Sequence, residues 1–291
     1  LGERDREIDS VSWSHDDVLH NDVVYYIILT SCSALVKLGL TQQQQKHMPA
    51  IIVAVANQKG GVGKTTSTIN LARALIELDK RVLVIDCDPQ CSLSVAVGVD
   101  PKALHRLEEQ GRTLYFGLVK DAPMKDLVLP GEPAVIPAGT RLASADTEIV
   151  SPFGVATILK EKIEPLRADF DVILIDCQPS LSILTVNALT AADAVVIPVK
   201  SDYLSIMGVP LLIETIENVR RRANPGLTVI GILPTLFNAR ANHDAEMVKE
   251  LQAAVSHKHI HVFPPVNRST AYDNANAAGK SVVELFPDTP G

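Results

Sequence analysis

The sequence predicts an α/β fold: a mainly parallel, twisted sheet with helices on both faces, three layers in all. Three observations carry this. Short aliphatic runs alternate with segments of helical spacing along most of the chain, which is the pattern of right-handed βαβ units. Hydrophobic residues make up 46% of the 291 residues but aromatic ones only 4%. The core must therefore be filled by Val, Ile, Leu and Ala, which suits a sheet buried on both sides. Finally, polar or glycine-rich residues follow the apolar runs that end at Ala56, Ile85, Ile175 and Leu233, and ligands of parallel sheets bind at the carboxyl ends of strands.

The elements follow in order. Ile51 to Ala56 is an apolar, β-rich run. Thr65 to Leu78 places Ile69, Ala72, Leu75 and Ile76 on one side of a helix. Val82 to Ile85 is the second strand. Between Val99 and Pro152 the pattern weakens to short helices and one strand at Ala134 to Ile136. Strand Val172 to Ile175, helix Ile183 to Ala191 and strand Ala194 to Val199 come next. Helix Val209 to Arg222, strand Thr228 to Leu233, helix Ala245 to Val255 and a short strand at His261 to Phe263 complete the series. There is no internal repeat.

Residues 1–47 are set apart. They carry four basic and seven acidic residues and end in the polar run Gln42-Gln43-Gln44-Gln45, which reads as linker. Their most apolar stretch, Val23 to Leu40, contains Thr30, Ser31, Ser33 and Lys37. It falls short of the ~20 predominantly apolar residues of a spanning helix, and it lacks the flanks of a signal peptide. The expected organisation is a dispensable extension over 1–47 and one domain over 48–291. Charge is the other limit. With 27 basic and 34 acidic residues the net is −7, which excludes a uniformly basic nucleic-acid binder and leaves room for a local patch. Four cysteines without C-x-x-C spacing argue for a reducing, cytoplasmic compartment.

The chemistry centres on Asn57-Gln58-Lys59-Gly60-Gly61-Val62-Gly63-Lys64-Thr65-Thr66, lying between a strand and a helix. A strict P-loop has glycine where Gln58 stands, so that pattern fails at one position. The rest fits a P-loop NTPase. Gly60, Gly61 and Gly63 let the backbone wrap phosphate oxygens, and the helix start favours an anion. Lys64 reaches the β- and γ-phosphates, and the Thr65 hydroxyl ligates Mg²⁺. A plain glycine turn before a helix is the bland alternative.

Lys59 to Thr66 resembles the deviant Walker A motif of the ParA/MinD family of P-loop ATPases, whose extra lysine is matched by Lys59. The resemblance implies that ATP and Mg²⁺ are bound by Lys59, Gly60, Gly61, Val62, Gly63, Lys64, Thr65 and Thr66. It also implies that Lys59 reaches a partner subunit's nucleotide in an ATP-dependent homodimer. Ile85-Asp86-Cys87-Asp88-Pro89-Gln90 looks like the family's D-x-D-P-Q element. By that match Asp88 orients the attacking water and Asp86 supports the metal region. Asp171 to Ser180 reads as Walker B, with Asp176 holding a Mg²⁺-bound water and Gln178 replacing a common proline.

Later segments, among them Leu233 to Arg240 and Pro265 to Ser269, look like ParA-type chromosome- and plasmid-partition ATPases. They imply an adenine contact at Asn238 and non-specific DNA binding by the dimer through Arg240 and Arg268. A ParB-type activator and a nucleoid-associated location in the cytoplasm follow from the same match, and no membrane is implied. The rivals are a positioner of other cargo (a protein microcompartment or chemosensory array), a MinD-like division-site positioner, an iron–sulfur carrier and an ATP-switched transcription regulator. Family members usually continue past Pro287-Asp288-Thr289-Pro290 into a final helix, so a lost last helix is expected here.

Overall fold

The computed structural model describes residues 49–149, 156–278 and 282–286. The extension over 1–47, Met48 and the Pro287 to Pro290 segment lie outside them. Six strands form one parallel sheet: β1 (Ile51–Val55), β2 (Val82–Cys87), β3 (Ala134–Ile136), β4 (Val172–Cys177), β5 (Ala194–Lys200) and β6 (Thr228–Thr235). Their order is β3-β2-β4-β1-β5-β6, and every pairing is parallel. The chain leaves β1 for β2, two places away, and later enters β5 on the other flank of β1. A strand where the winding reverses opens a crevice at its carboxyl end, which is where such sheets bind ligands.

Strand alternation sorts the core into two layers. Ile52, Ala54, Leu83, Ile85, Ile173 and Ile175 pack on one face with helices Ile183–Ala191 and Val209–Arg222. Val53, Val82, Val84, Val172 and Leu174 pack on the other with helices Lys64–Glu77 and Thr270–Ala277. Neighbouring side chains point to opposite faces of a strand, and each face is sealed by aliphatic helix residues, so all six positions of β2 and of β4 are buried. The expected three-layer, mainly parallel sheet is the observed one.

Several boundaries differ from expectation. Strands β2 and β4 run two residues further than their apolar runs, through Asp86-Cys87 and Asp176-Cys177. The parallel ladder continues there (Asp86 pairs with Asp176, and Cys87 with Cys177), so polar residues are carried inside the sheet. Helix Asn242–Val255 starts three residues before Ala245. The expected strand at His261 to Phe263 is a single bridge between Ile232 and Val262. Pro264 and Pro265 follow at once and cannot donate to a ladder. Contact is still close: a Cβ on Gly231 would sit 2.6 Å from the Phe263 ring and 2.8 Å from His261 O. At the carboxyl end a four-residue helix, Val282–Leu285, is present, and Val282 N donates to Asn70 Oδ1 at 3.0 Å.

Candidate nucleotide site

The sheet register builds the site. Val55, Asp86 and Asp176 are lateral partners across β1, β4 and β2, so the loops after these strands open side by side. After β1 the chain turns on Asn57. Its buried amide donates to Pro198 O of β5 at 2.7 Å, and its carbonyl accepts the Lys59 N–H at 3.0 Å. The following loop has Gly61 at φ 67° and Gly63 at φ 82°, a region that only glycine enters without strain. Thr235 Oγ1 donates to Val62 O at 2.8 Å and ties the loop to the end of β6.

Helix Lys64–Glu77 begins without a side-chain cap, since Gly63 offers none. Helices at Pro101, Ile183 and Tyr203 are capped instead by Asp100, Ser182 and Asp202. First-turn amides have no acceptor within their own helix. Here they face the loop with the positive end of the helix dipole, which is an anion site. Lys64 is buried beside them, with Nζ donating to Lys59 O at 2.8 Å. Burial lowers its pKa, and the nearby Asp176 opposes that shift.

Thr65 and Asp176 meet across 111 residues of sequence. Thr65 Oγ1 donates to Asp176 Oδ2 at 2.6 Å, and Thr68 Oγ1 stands 3.5 Å from Oδ1. Burial, and then the charge of Asp86, push the Asp176 carboxyl up to about 8. A buried carboxylate beside a hydroxyl is a hard oxygen donor set, the kind that suits Mg²⁺. A bound divalent cation would supply the charge that this carboxylate otherwise lacks.

Asp86 has a different place from the one expected. Its Oδ2 accepts both the N–H and the hydroxyl of Ser94, at 2.8 and 2.7 Å, and its Oδ1 accepts Asp88 N–H at 3.1 Å. With these oxygens engaged inside the fold, Asp86 anchors the Asp88 loop rather than presenting a free metal ligand. Burial raises its carboxyl to about 6 against those hydrogen bonds. Asp88 itself is half-buried at the opening, its Oδ1 accepting Gln90 N–H at 2.9 Å.

A cleft of about 530 Å³ extends the site. Gly61, Gly63, Thr66 and Ser67 form one wall, and Thr235, Leu236 and the segment from Val266 to Thr270 form the other. Asn238 does not line it. That residue is exposed, its carbonyl accepts Arg240 N–H at 3.1 Å, and its own N–H donates to Asp244 Oδ2 at 2.8 Å. Its hydrogen bonds shape a local turn leading into helix Asn242–Val255, a habit of Asn side chains. Arg268 lies on the cleft wall, and its N–H donates to Phe237 O at 2.8 Å. Arg240 is exposed away from the cleft. Asn57, Thr68, Ser94 and Thr235 were absent from the sequence-based candidates. Asn57 opens the glycine-rich segment and Thr235 stands at a strand end, the only signals they give.

The three described cysteines, Cys87, Cys91 and Cys177, are buried. Burial pushes all three thiols up, that of Cys91 to about 12. A cluster ligand must be a thiolate, so these residues do not favour the iron–sulfur carrier. Among the described residues no helix is long and apolar enough to cross a membrane.

A glycine loop between a parallel strand and an uncapped helix, with a lysine and a hydroxyl–carboxylate pair beneath it, defines a P-loop nucleotide-binding protein. Residues 50–229 match the model of the AAA domain family, and the chain belongs to the ParA-type partition ATPases within the ParA/MinD deviant Walker A family. It is 36% identical over 235 residues to the chromosome partitioning protein ParA of Myxococcus xanthus, covering 80% of each chain. It is 35% identical to the sporulation initiation inhibitor protein Soj of Bacillus subtilis, covering 82% of this chain and 93% of Soj. Among solved structures, cobyrinic acid a,c-diamide synthase from Mycobacterium smegmatis with bound ATP analogue and magnesium is 34% identical with a TM-score of 0.68, over 79% of this chain and 93% of that one. An ATP complex of a Cyanothece McdA variant gives a TM-score of 0.72 at 25% identity, over 83% of this chain and 92% of that one.

Proposed function

We propose that this protein hydrolyses ATP to ADP and phosphate, dimerises when ATP is bound, and partitions chromosomal or plasmid DNA. The observation that carries this is the 2.6 Å contact of Thr65 with Asp176 beside the buried Lys64. It joins the two halves of a Mg·nucleotide site at the open end of the sheet. Gly60 to Gly63 and the first-turn amides, from Lys64 to Thr66, cradle the phosphates, and Lys64 offsets their charge. Thr65 and Asp176 hold Mg²⁺, which neutralises charge on the phosphate oxygens when bound. Asp88 positions the attacking water, held in place through Asp86. The base and ribose occupy the cleft past Gly63, against the wall that includes Leu236 and Arg268.

Lys59 closes the dimer by reaching the second subunit's nucleotide. Two facing triphosphates repel, and a lysine given in trans neutralises them only when both are present. The dimer binds DNA without sequence preference through phosphate contacts, for which exposed Arg240 supplies charge and reach. Arg268 shares that role at the cleft rim. A ParB-type partner stimulates hydrolysis and releases the dimer from the nucleoid. The relatives named ParA and Soj support the partition reading. Lys59→Ala is expected to abolish ATP-induced dimers in light scattering while ADP binding persists. Unchanged dimerisation would remove Lys59 from this role.

Residues 48–291 make up the ATPase domain in this proposal, and 1–47 is a dispensable extension. Deleting 1–47 is expected to leave the ATPase rate and the melting temperature unchanged. A large loss of either would end that division of the chain.

A further inference from the structure

The nucleotide loop is tied to an element that phosphate binding alone does not require. Gln58 Nε2 donates to Gly208 O at 2.9 Å, across 150 residues. Gly208 stands between helices Tyr203–Met207 and Val209–Arg222, with φ −83° and ψ −16°. That is ordinary right-handed backbone, so nothing in its conformation calls for glycine. Space does. A Cβ on Gly208 would lie 2.9 Å from Gln58 Nε2, 3.4 Å from Lys59 Cε and 3.5 Å from Ser205 O. The stem of Lys59 therefore runs across bare backbone, alongside the Gln58 amide. Its own main chain is held at both ends, the N–H by Asn57 and the carbonyl by Lys64.

We propose that Gly208 is a positioning residue for Lys59, and that the Gln58–Gly208 hydrogen bond holds the pair in register. A lysine stem free in solvent samples many rotamers, and fixing it costs entropy on binding. Laid on Gly208 beforehand, the ammonium group starts from a restricted set of positions, so less is lost when it engages a second copy of the chain. The inference rests on the reading of Lys59 as the residue that acts in trans.

The test is Gly208→Ala, measured in the hydrolysis-blocked Asp88→Ala background with ATP by concentration-dependent light scattering. Alanine suits this helical backbone, so the fold is kept. The added methyl displaces only Gln58 and the Lys59 stem. The dimer dissociation constant is expected to rise about tenfold, while the affinity of the monomer for ADP stays within about twofold. Gln58→Ala is expected to weaken the dimer too, and the double variant to be no worse than the weaker single, because both act on one contact. An unchanged dimer constant in Gly208→Ala overturns the proposal, as does an equal loss of ADP affinity. Full dimerisation of Lys59→Ala overturns the reading beneath it, which separates the two failures.

Discussion

Asp88→Ala is expected to bind ATP and form the dimer, yet to hydrolyse about 100- to 1,000-fold more slowly, the usual scale for losing a group that positions or activates a nucleophile. The geometry gives the reason for the split. The proposed phosphate cradle is Gly60 to Thr66 with the helix start, and the contacts that shape it do not include a hydrogen bond to the Asp88 carboxylate. The Asp88 loop is held from behind by Asp86, whose oxygens take Ser94 and the Asp88 N–H. Removing the Asp88 side chain leaves that anchor intact. Single-turnover phosphate release with light scattering on the same sample measures both quantities. Hydrolysis at the wild-type rate would take Asp88 out of the reaction. Asp86→Ala, by contrast, leaves the buried Ser94 N–H and the proton of the Ser94 hydroxyl without an acceptor, so stability and turnover fall together.

The sheet and its site were legible to different depths. Aliphatic runs gave the strands, because a sheet buried on both faces leaves no other composition for them. The glycine loop was legible because three glycines before Lys-Thr-Thr have few other uses. Helix Ile183–Ala191 and helix Val209–Arg222 have the expected bounds, the first opened by the Ser182 cap and the second followed by Asn224-Pro225-Gly226. What stayed hidden depends on partners far away in sequence. The aspartate at 86 looks like a metal ligand in the sequence, which does not show that its Oδ2 takes Ser94 and its Oδ1 the Asp88 N–H. Asn238 reads equally well as a base contact or a turn in the sequence, which does not show its hydrogen bonds with Arg240 and Asp244. Gly208 carries no local signal, since its requirement comes from Gln58 and Lys59, about 150 residues earlier.

Asp176→Asn should make the nucleotide-free protein more stable and the Mg·nucleotide complex unattainable. Asp176 is buried and lies opposite Asp86 in the ladder, and these two facts raise its carboxyl to about 8. The unfolded chain holds an aspartate near 3.9. A group whose folded pKa is raised contributes stability below the unfolded pKa and loses it as pH climbs through the folded one. The free wild-type protein therefore weakens between about pH 4 and pH 8 on account of this residue. Asparagine has the same shape, keeps an oxygen for the Thr65 hydroxyl and carries no charge. The expected gain is of the order of several kcal/mol near pH 8, shrinking toward pH 5, read from urea melts without nucleotide. With ATP and Mg²⁺ the order reverses. The wild type gains stability by mass action as the cation takes up the carboxylate charge, and the variant shows no Mg²⁺-dependent gain. A nucleotide-free Asp176→Asn protein less stable than the wild type at pH 8, or one that keeps its Mg²⁺-dependent shift, would show that this carboxylate serves the fold and not the cation. A residue that costs the empty protein stability is what a ligand site can demand, and the two outcomes together would assign that position to Asp176.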